Sequence, residues 1–549
     1  MSEEASAEVG PSRTSRELGR GAALFVSVGA VIGSGWLFAG FDASELSGSG
    51  SILAWLIAGG LGAVLAMSYA ELGATFPVDG GVGRFPLYAF GRPTGFLSGF
   101  LSWITTVCIA PIETVASLRY ASNYLPWLSQ DSHGLVVLSA AGRLVAAGVL
   151  LVFILVNAAG VRLFSETNNA VVWFKIAVPV IVAVTLLVVH FHPGNFDPRG
   201  GLFFGGAHGI TLAISQGGVV FALLGFEQAI QLGGETRNPQ SNIPIAVLGS
   251  VAIAMGIYLL LQIAFIGALP AGNLVDGWSH LHFAGDYGPL AGLARILGVA
   301  WLAYLIYLAA SISPAGTGLT YTATSSRVPY ALAREGYLPN LFARLNSRSV
   351  PIVSLLTCYG VGLLLLIILP SWRQLLTFAT ASTAVVYGLA PLSLAVLRST
   401  APSLRRPYRV VRPALMTRVG FVVANLILYW AGWETDRYVF AIVGIGVLIQ
   451  AGLAAHAAYR HTSAEWVCSA WLVPYVGAMT LMSAIGRYGG LDLVPRYWDS
   501  ALVAVLSIAV YELAVRMGSE VHRVLPEGHR PVDRWTHTAV LAGLGAPDV

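Results

Sequence analysis

Apolar runs long enough to cross a lipid bilayer are interrupted by glycine at two matching places, Val28-Gly29-Ala30-Val31-Ile32-Gly33-Ser34-Gly35 and Phe221-Ala222-Leu223-Leu224-Gly225-Phe226-Glu227. Glycine weakens a helix interior, and unwound backbone survives inside a membrane only where it faces protein or a water-filled cavity. A pair of such breaks leaves N–H and C=O groups free to converge on one central ligand, the arrangement expected of a transporter site.

The rest of the chain is consistent with a polytopic membrane protein. Of 549 residues 56% are hydrophobic and 11% charged, which excludes an ordinary soluble multi-domain protein. Spans of about 20 apolar residues are expected at Gly21 to Phe41, Ile52 to Phe76, Gly95 to Tyr120, Leu138 to Val156, Ala170 to His190, Gly209 to Leu232 and Ile245 to Leu269. Further spans are expected at Leu293 to Thr322, Pro351 to Leu369, Leu375 to Leu397, Phe421 to Gly432, Tyr438 to Ala458, Trp466 to Ile485 and Ala501 to Val515, fourteen in all.

With both termini placed in the cytoplasm, inner segments hold 22 of the 30 arginines and outer ones hold 8, as the positive-inside rule requires. The formal charge of +4 therefore reports topology, and nucleic acid is not an expected partner. The first twenty residues lack the apolar core of a secretory signal. Cys108, Cys358 and Cys468 lie far apart in apolar spans and are expected as packing residues, so neither a disulfide framework nor a metal site is predicted. No phosphate loop, nucleophile elbow or paired catalytic acids occur in a plausible setting, so an enzyme is not expected.

The loops divide the chain into a tail (1–20), a five-helix block (21–192), a second five-helix block (209–398), two helices (415–460), two additional helices (466–518) and a second tail (519–549). Five helices per block is odd, so the second block is expected to enter the membrane inverted relative to the first. The additional helices are expected to carry few buried charges and to serve in peripheral packing or contact with a second copy of the chain.

Several motifs in one order carry a family resemblance. They are Gly33-Ser34-Gly35; Tyr69-Ala70-Glu71-Leu72-Gly73-Ala74-Thr75-Phe76-Pro77 with Gly80-Gly81; Gly225-Phe226-Glu227 with Gly234-Glu235, Asn238-Pro239 and Ile243-Pro244; and Ser326-Arg327, Ala333-Arg334-Glu335-Gly336-Tyr337-Leu338-Pro339 and Arg406-Pro407-Tyr408-Arg409. Together these resemble the amino acid–polyamine–organocation permeases. His190-Phe191-His192-Pro193, Ser313-Pro314-Ala315-Gly316, Leu369-Pro370-Ser371-Trp372 and Trp430-Ala431-Gly432-Trp433 are similar to its bacterial aspartate–proton symporter branch. Gly83 and Arg84, where many members carry a tyrosine, and the last two helices depart from the pattern. The resemblance implies an all-α, LeuT-like 5+5 inverted repeat with helices 1 and 6 broken.

Within that frame, the N–H groups of Ser34 and Gly35 suit an α-carboxylate at the start of a resumed half-helix. Carbonyls of Val31, Phe221, Ala222 and Leu224 suit an α-ammonium, with Gly33 giving close approach; small-residue helix packing is the alternative role of the glycines. Phe221 falls where the resemblance puts an aromatic gate, against the plainer reading of a packed core ring. Glu227 costs about 2.5–3.5 kcal/mol deep in a membrane helix unless protonated or paired, which points to gating or proton handling, or to a pairing across helices. Lys175 is the chain's one lysine among 30 arginines; a desolvated lysine can release its proton where an arginine cannot. The resemblance puts it where sodium sits in related carriers, near Ser313 and Thr317, although a lysine snorkelling to the interface is the alternative. Arg119 is a candidate for an acidic substrate's side chain or an interfacial cation, and Glu113 a second protonatable group or the partner of Arg119. His190, His192 and His208 form a candidate outer pH-sensitive cluster.

These readings converge on a proton-coupled amino acid permease of the inner or plasma membrane that takes up aspartate or glutamate. The proton is its coupling ion, with no other cofactor. An amino acid or amine exchanger, and an amino acid sensor, are the alternatives; the short tails disfavour the sensor.

Overall fold

The computed structural model describes residues 18–533 except 79–80, 133–134, 160–162, 197–203, 284–285, 335, 455–462, 496–497 and 526–529. It is all-α apart from one hairpin. In chain order the helices are α1 (Arg20–Val31), α2 (Gly35–Ser47), α3 (Ser51–Thr75), α4 (Gly81–Phe90), α5 (Arg92–Ala121), α6 (Ala140–Ala158) and α7 (Leu163–Val189). There follow α8 (Gly206–Ser215), α9 (Val219–Ala222), α10 (Gln228–Gln231), α11 (Pro239–Ala268), α12 (Pro289–Ile296), α13 (Ala300–Arg334), α14 (Ile352–Ile368) and α15 (Trp372–Thr400). The last five are α16 (Pro413–Ala431), α17 (Trp433–Ala454), α18 (Ser463–Ser469), α19 (Leu472–Ile485) and α20 (Trp498–Val524). Strands β1 (Ser129–Ser132) and β2 (Leu135–Leu138) pair antiparallel between α5 and α6.

Among the described residues eleven helical stretches are long and apolar enough to cross a bilayer. The difference from fourteen expected spans lies at three places. Gly35–Thr75 counts as one stretch but holds the second arm of the first span and all of the next. The sixth span is divided among α8, α9 and α10, and the ninth, α14, is a 17-residue helix.

Several boundaries differ for identifiable reasons. The expected loop from Phe76 to Pro93 contains α4, whose Val82, Phe85, Leu87 and Tyr88 are buried. The expected span Leu293 to Thr322 is two helices, because Gly298 adopts a φ of +76° that ends α12. Its second part, α13, continues to Arg334, so Arg327 and Arg334 stand on a helix and not in the following loop. Helix α16 starts at Pro413, eight residues before the expected Phe421, because proline suits the first helical turn. Helix α20 begins at Trp498 and passes the expected end at Val515, running through Val524 into the segment expected as a tail.

Two distant motifs meet in one polar knot. Glu71 of α3 is fully buried and accepts from Arg398 Nε (2.8 Å) and Nη2 (2.6 Å) and from the backbone N–H of Val410 (2.7 Å), with Arg406 3.6 Å away. The bidentate geometry gives each carboxylate oxygen a donor, as a buried charge requires.

The additional helices carry more buried charge than expected and are not peripheral. Glu465, Asp499 and His522 are each at most 3% exposed. Glu465 accepts from the Arg92 N–H at the start of α5 (3.3 Å), and Thr94 and Ser469 share a hydrogen bond of 2.8 Å. His522 Nε2 donates to the Ala89 carbonyl at the end of α4 (2.9 Å), Tyr429 to Asp499 (2.9 Å), and Arg418 to Glu512 (2.7 Å). Glu465, Asp499 and His522 lie outside the expected spans Trp466 to Ile485 and Ala501 to Val515, so hydropathy gave no reason to bury them.

Glu71→Ala should lower unfolding free energy by about 3 kcal/mol, since it strands the buried side of Arg398; thermal unfolding of purified protein checks this, and an unchanged midpoint would refute it. Truncation after Arg460 should leave no monodisperse protein on size exclusion, because it removes partners of α4, α5 and α16 together.

Candidate functional site

The first break spans three residues between α1 and α2. Ile32 leaves the helical region with φ −87° and ψ 82°, and the chain bends through Gly33 and Ser34 before α2 resumes at Gly35. The second break is longer: Gly218 (φ +83°) starts the four-residue α9, and Gly225 (φ +108°) turns the chain before α10. A β-carbon on Gly225 would lie 3.0 Å from Ala30 C and 2.9 Å from the Tyr321 hydroxyl. One on Gly35 would lie 2.8 Å from Ala222 Cβ. Glycine at these positions is what lets the two broken segments touch.

Backbone contact between them is direct. Ser27 of α1 donates to the Phe226 carbonyl (2.9 Å) and its hydroxyl accepts from the Ala229 N–H (3.2 Å). Surrounding helices satisfy the opened backbone, as a bilayer without water demands. Tyr258 of α11 donates to the Val31 carbonyl (3.0 Å), Ser313 of α13 to the Gly33 carbonyl (3.3 Å), and Trp372 of α15 to the Ser34 hydroxyl (3.2 Å).

Glu113 of α5 is buried, and its Oε1 accepts from the Ser34 N–H (3.1 Å). In this conformation a carboxylate of the protein occupies one of the two amides assigned above to an α-carboxylate. A β-carbon at Gly33 would fall on Glu113 Oε1, and Thr317 Cγ2 lies 3.4 Å from the same point. Thr317 in turn accepts from Lys175. The Lys175 ammonium, 3% exposed, donates to Thr317 Oγ1 (2.6 Å) and to the Gly29 carbonyl (2.9 Å). One side chain of α7 therefore ties α1 to α13.

The pairing of Glu113 with Arg119 does not form. Arg119 donates through Nε to the Tyr287 carbonyl (3.1 Å) and lies over the Phe38 ring at 4.7 Å; six residues along a helix place the two on different sides. Other ammonium acceptors also have protein partners here. Val31 O bonds Tyr258 and the Gly33 N–H (3.1 Å), and Phe221 O bonds the Leu224 N–H (3.0 Å). Ala222 lies against Gly35 through its side chain.

Glu227 begins α10 and is held by the Tyr387 hydroxyl, the Gly225 N–H (3.1 Å) and the Gln228 amide (3.2 Å). Phe221 meets Trp372 edge to face at 6.1 Å, and Trp372 lies 4.6 Å from Phe38. Beside this aromatic layer Arg373 Nη2 is 2.6 Å from both Asp42 Oδ1 and Glu45 Oε2, closing α15 onto α2. His190 and His192 stack ring edge to face at 4.2 Å, while His208 lies against Tyr488, so the three do not form one cluster. Sequence reading missed Tyr258, Tyr387 and the Arg373 cluster; the paired acids at positions 42 and 45, directly after the first expected span, were the available signal.

At the opposite end of the bundle, below the breaks, lies a cavity of about 500 Å³ whose lining includes Arg84, Ser102, Thr106, Gln228, Arg327 and Arg334. A narrower cavity shares Ser102, Thr106, Gln228 and Gln231 with it and reaches Leu224, Glu227 and Tyr387. The two cavities share lining residues between the arginine-rich end and the second break, and aromatic rings and ion pairs lie on the other side.

Residues 18–450 match the amino acid permease family. The chain belongs to that family. It is 36% identical over 510 residues to the glutamate/serine transporter AimA of Bacillus subtilis, covering 92% of this chain and 94% of that protein. It is 32% identical over 499 residues to the aspartate-proton symporter of the same organism (90% and 95%) and 26% identical over 473 to the human b(0,+)-type amino acid transporter 1 (83% and 91%). The permease is accordingly a multi-pass membrane protein that transports amino acids, and not an enzyme.

Gly225→Ala should reduce transport at least tenfold, since strain at a left-handed position costs about 1–3 kcal/mol and the added carbon presses on α1. Gly256→Ala in α11, where nothing lies within 4 Å, is the matched control. Equal uptake by the two variants would contradict the close-contact account.

Proposed function

We propose that this permease takes up an acidic amino acid, aspartate or glutamate, together with a proton, by alternating access around the two breaks. The observation that carries the reading is the contact of Lys175 with Gly29 and Thr317, because it puts a group able to gain and lose a proton on the last turn of α1, beside the first break. As ammonium, Lys175 has donors for both acceptors and holds α1 to α13. As amine it has fewer protons to donate, and the tie loosens. Proton release on one side of the membrane is thereby linked to movement of the broken helix.

Glu113 is the second part of the switch. An entering α-carboxylate competes with it for the Ser34 N–H, so substrate displaces an acid that then takes up a proton or turns toward Lys175. Glu227 and Phe221 serve the second break, as a protonatable contact and as the ring over the substrate. The names of the two bacterial relatives, one for glutamate and serine and one for aspartate and protons, support this choice of substrate and ion. The arginine-rich end is taken as cytoplasmic with both termini, residues 21–192 and 209–398 as inverted repeats, and the membrane as the bacterial plasma membrane.

Reconstituted into liposomes with an acidic exterior, the protein should accumulate labelled aspartate or glutamate, and a proton ionophore should abolish the accumulation. Entry of label only into vesicles preloaded with amino acid or amine would replace symport with exchange. Lys175→Arg should remove the pH dependence of uptake, because a guanidinium keeps its proton throughout the physiological range; wild-type pH dependence in that variant would overturn the lysine's role.

A further inference from the structure

Three arginines from two separate helices line one chamber at the arginine-rich end, the side to which the positive-inside rule also assigns them. Arg84 comes from α4 and is half-buried, while Arg327 and Arg334 are exposed and seven residues apart on α13, so they share one helix face at the chamber's mouth. Glu235 and Tyr330 also line it, and Arg334 Nη1 donates to the Tyr330 hydroxyl at 3.3 Å. Arg84 and Glu235 each already have a partner, and Arg327 and Arg334 add two positive charges at the mouth.

The placement of Arg84 follows from the two helices that carry the chamber wall. A β-carbon at Gly83 would lie 3.4 Å from Gly99 Cα, and one at Gly95 would lie 2.7 Å from Leu87 Cβ, so α4 rests on α5 with little between them. Glu465 and His522 fix the joint between these helices from the other side. Gly83 lets α4 approach α5 closely, and Arg84 supplies charge beside it.

Above the arginines the lining is polar and ends at the Glu227 carboxylate; the Thr106 hydroxyl donates to the Ser102 carbonyl and the Gln228 amide to Glu227. A ligand with one carboxylate more than a neutral amino acid gains from the arginines at the chamber end, while Glu227 opposes that carboxylate at the second break.

The geometry points to this chamber as a second, inner binding subsite that holds the side-chain carboxylate of an acidic amino acid through Arg84, Arg327 and Arg334 as it passes between the breaks and the cytoplasm. This rests on the acidic-substrate reading above. It assigns selection for the extra carboxylate to the arginine-rich chamber and leaves recognition of the zwitterion to the breaks.

Binding of labelled aspartate and labelled serine to the purified full-length protein in detergent tests the assignment. Arg84→Gln and Arg327→Gln should each weaken aspartate binding about tenfold, the scale of one lost charged contact, and change serine binding less than twofold. Arg84→Lys should recover most of the loss. Raising sodium chloride from about 0.05 to about 0.5 M should weaken aspartate more than serine, because the arginines at the mouth are exposed to screening. Unchanged aspartate binding in both glutamine variants, or equal loss for the two ligands, would overturn the subsite. Failure of the wild-type protein to bind aspartate while it binds serine would instead overturn the acidic-substrate reading on which the subsite depends.

Discussion

A peptide group with no helical partner and no water is the constraint around which this molecule is built. Opening α1 from α2 frees backbone groups in a region where each unsatisfied one costs several kcal/mol. The neighbouring helices answer it one by one: Tyr258 from α11 on Val31, Ser313 from α13 on Gly33, Glu113 from α5 on Ser34 and Lys175 from α7 on Gly29. Four helices are thereby tied to one short segment of chain. Any movement of that segment has to be matched by theirs, which is how a local break becomes a global conformational variable.

On the proposed function, the same constraint is what makes the site respond to ligand and proton. Glu113 and Lys175 are bound to backbone atoms and not to each other, so changing the charge on either alters the support of α1. A substrate offering its own carboxylate and ammonium brings the groups the break is already accustomed to receiving. Competition between protein and substrate for the same amide is a plain physical form of coupling.

Much of this was legible from residue order. The all-α membrane class followed from hydropathy, the two breaks from glycine, and the lone lysine from its rarity. The family motifs were legible too, but not that Glu71 would meet Arg398 and Val410 more than three hundred residues away. Periodicity reports which face of a helix is apolar and says nothing of which distant helix covers it, so Glu113 could not be assigned to Ser34 over Arg119. Helix α4 was read as a loop because its ten residues are shorter than a membrane span and include a proline. The buried acids Glu465 and Asp499 fall just before the expected spans Trp466 to Ile485 and Ala501 to Val515, where a charge reads as interfacial, yet inside the bundle each finds a partner.

The contact of Arg373 with both Asp42 and Glu45 has an electrical consequence. While α15 rests on α2 the one guanidinium offsets part of the charge of the two acids. Parting the helices separates a guanidinium from two carboxylates, and charge displaced through a membrane does work against the transmembrane voltage, about 2.3 kcal/mol per elementary charge per 100 mV for a full crossing. On the proposed alternating-access reading, opening that end would be a voltage-dependent step with its own small capacitive current, present before any substrate has moved.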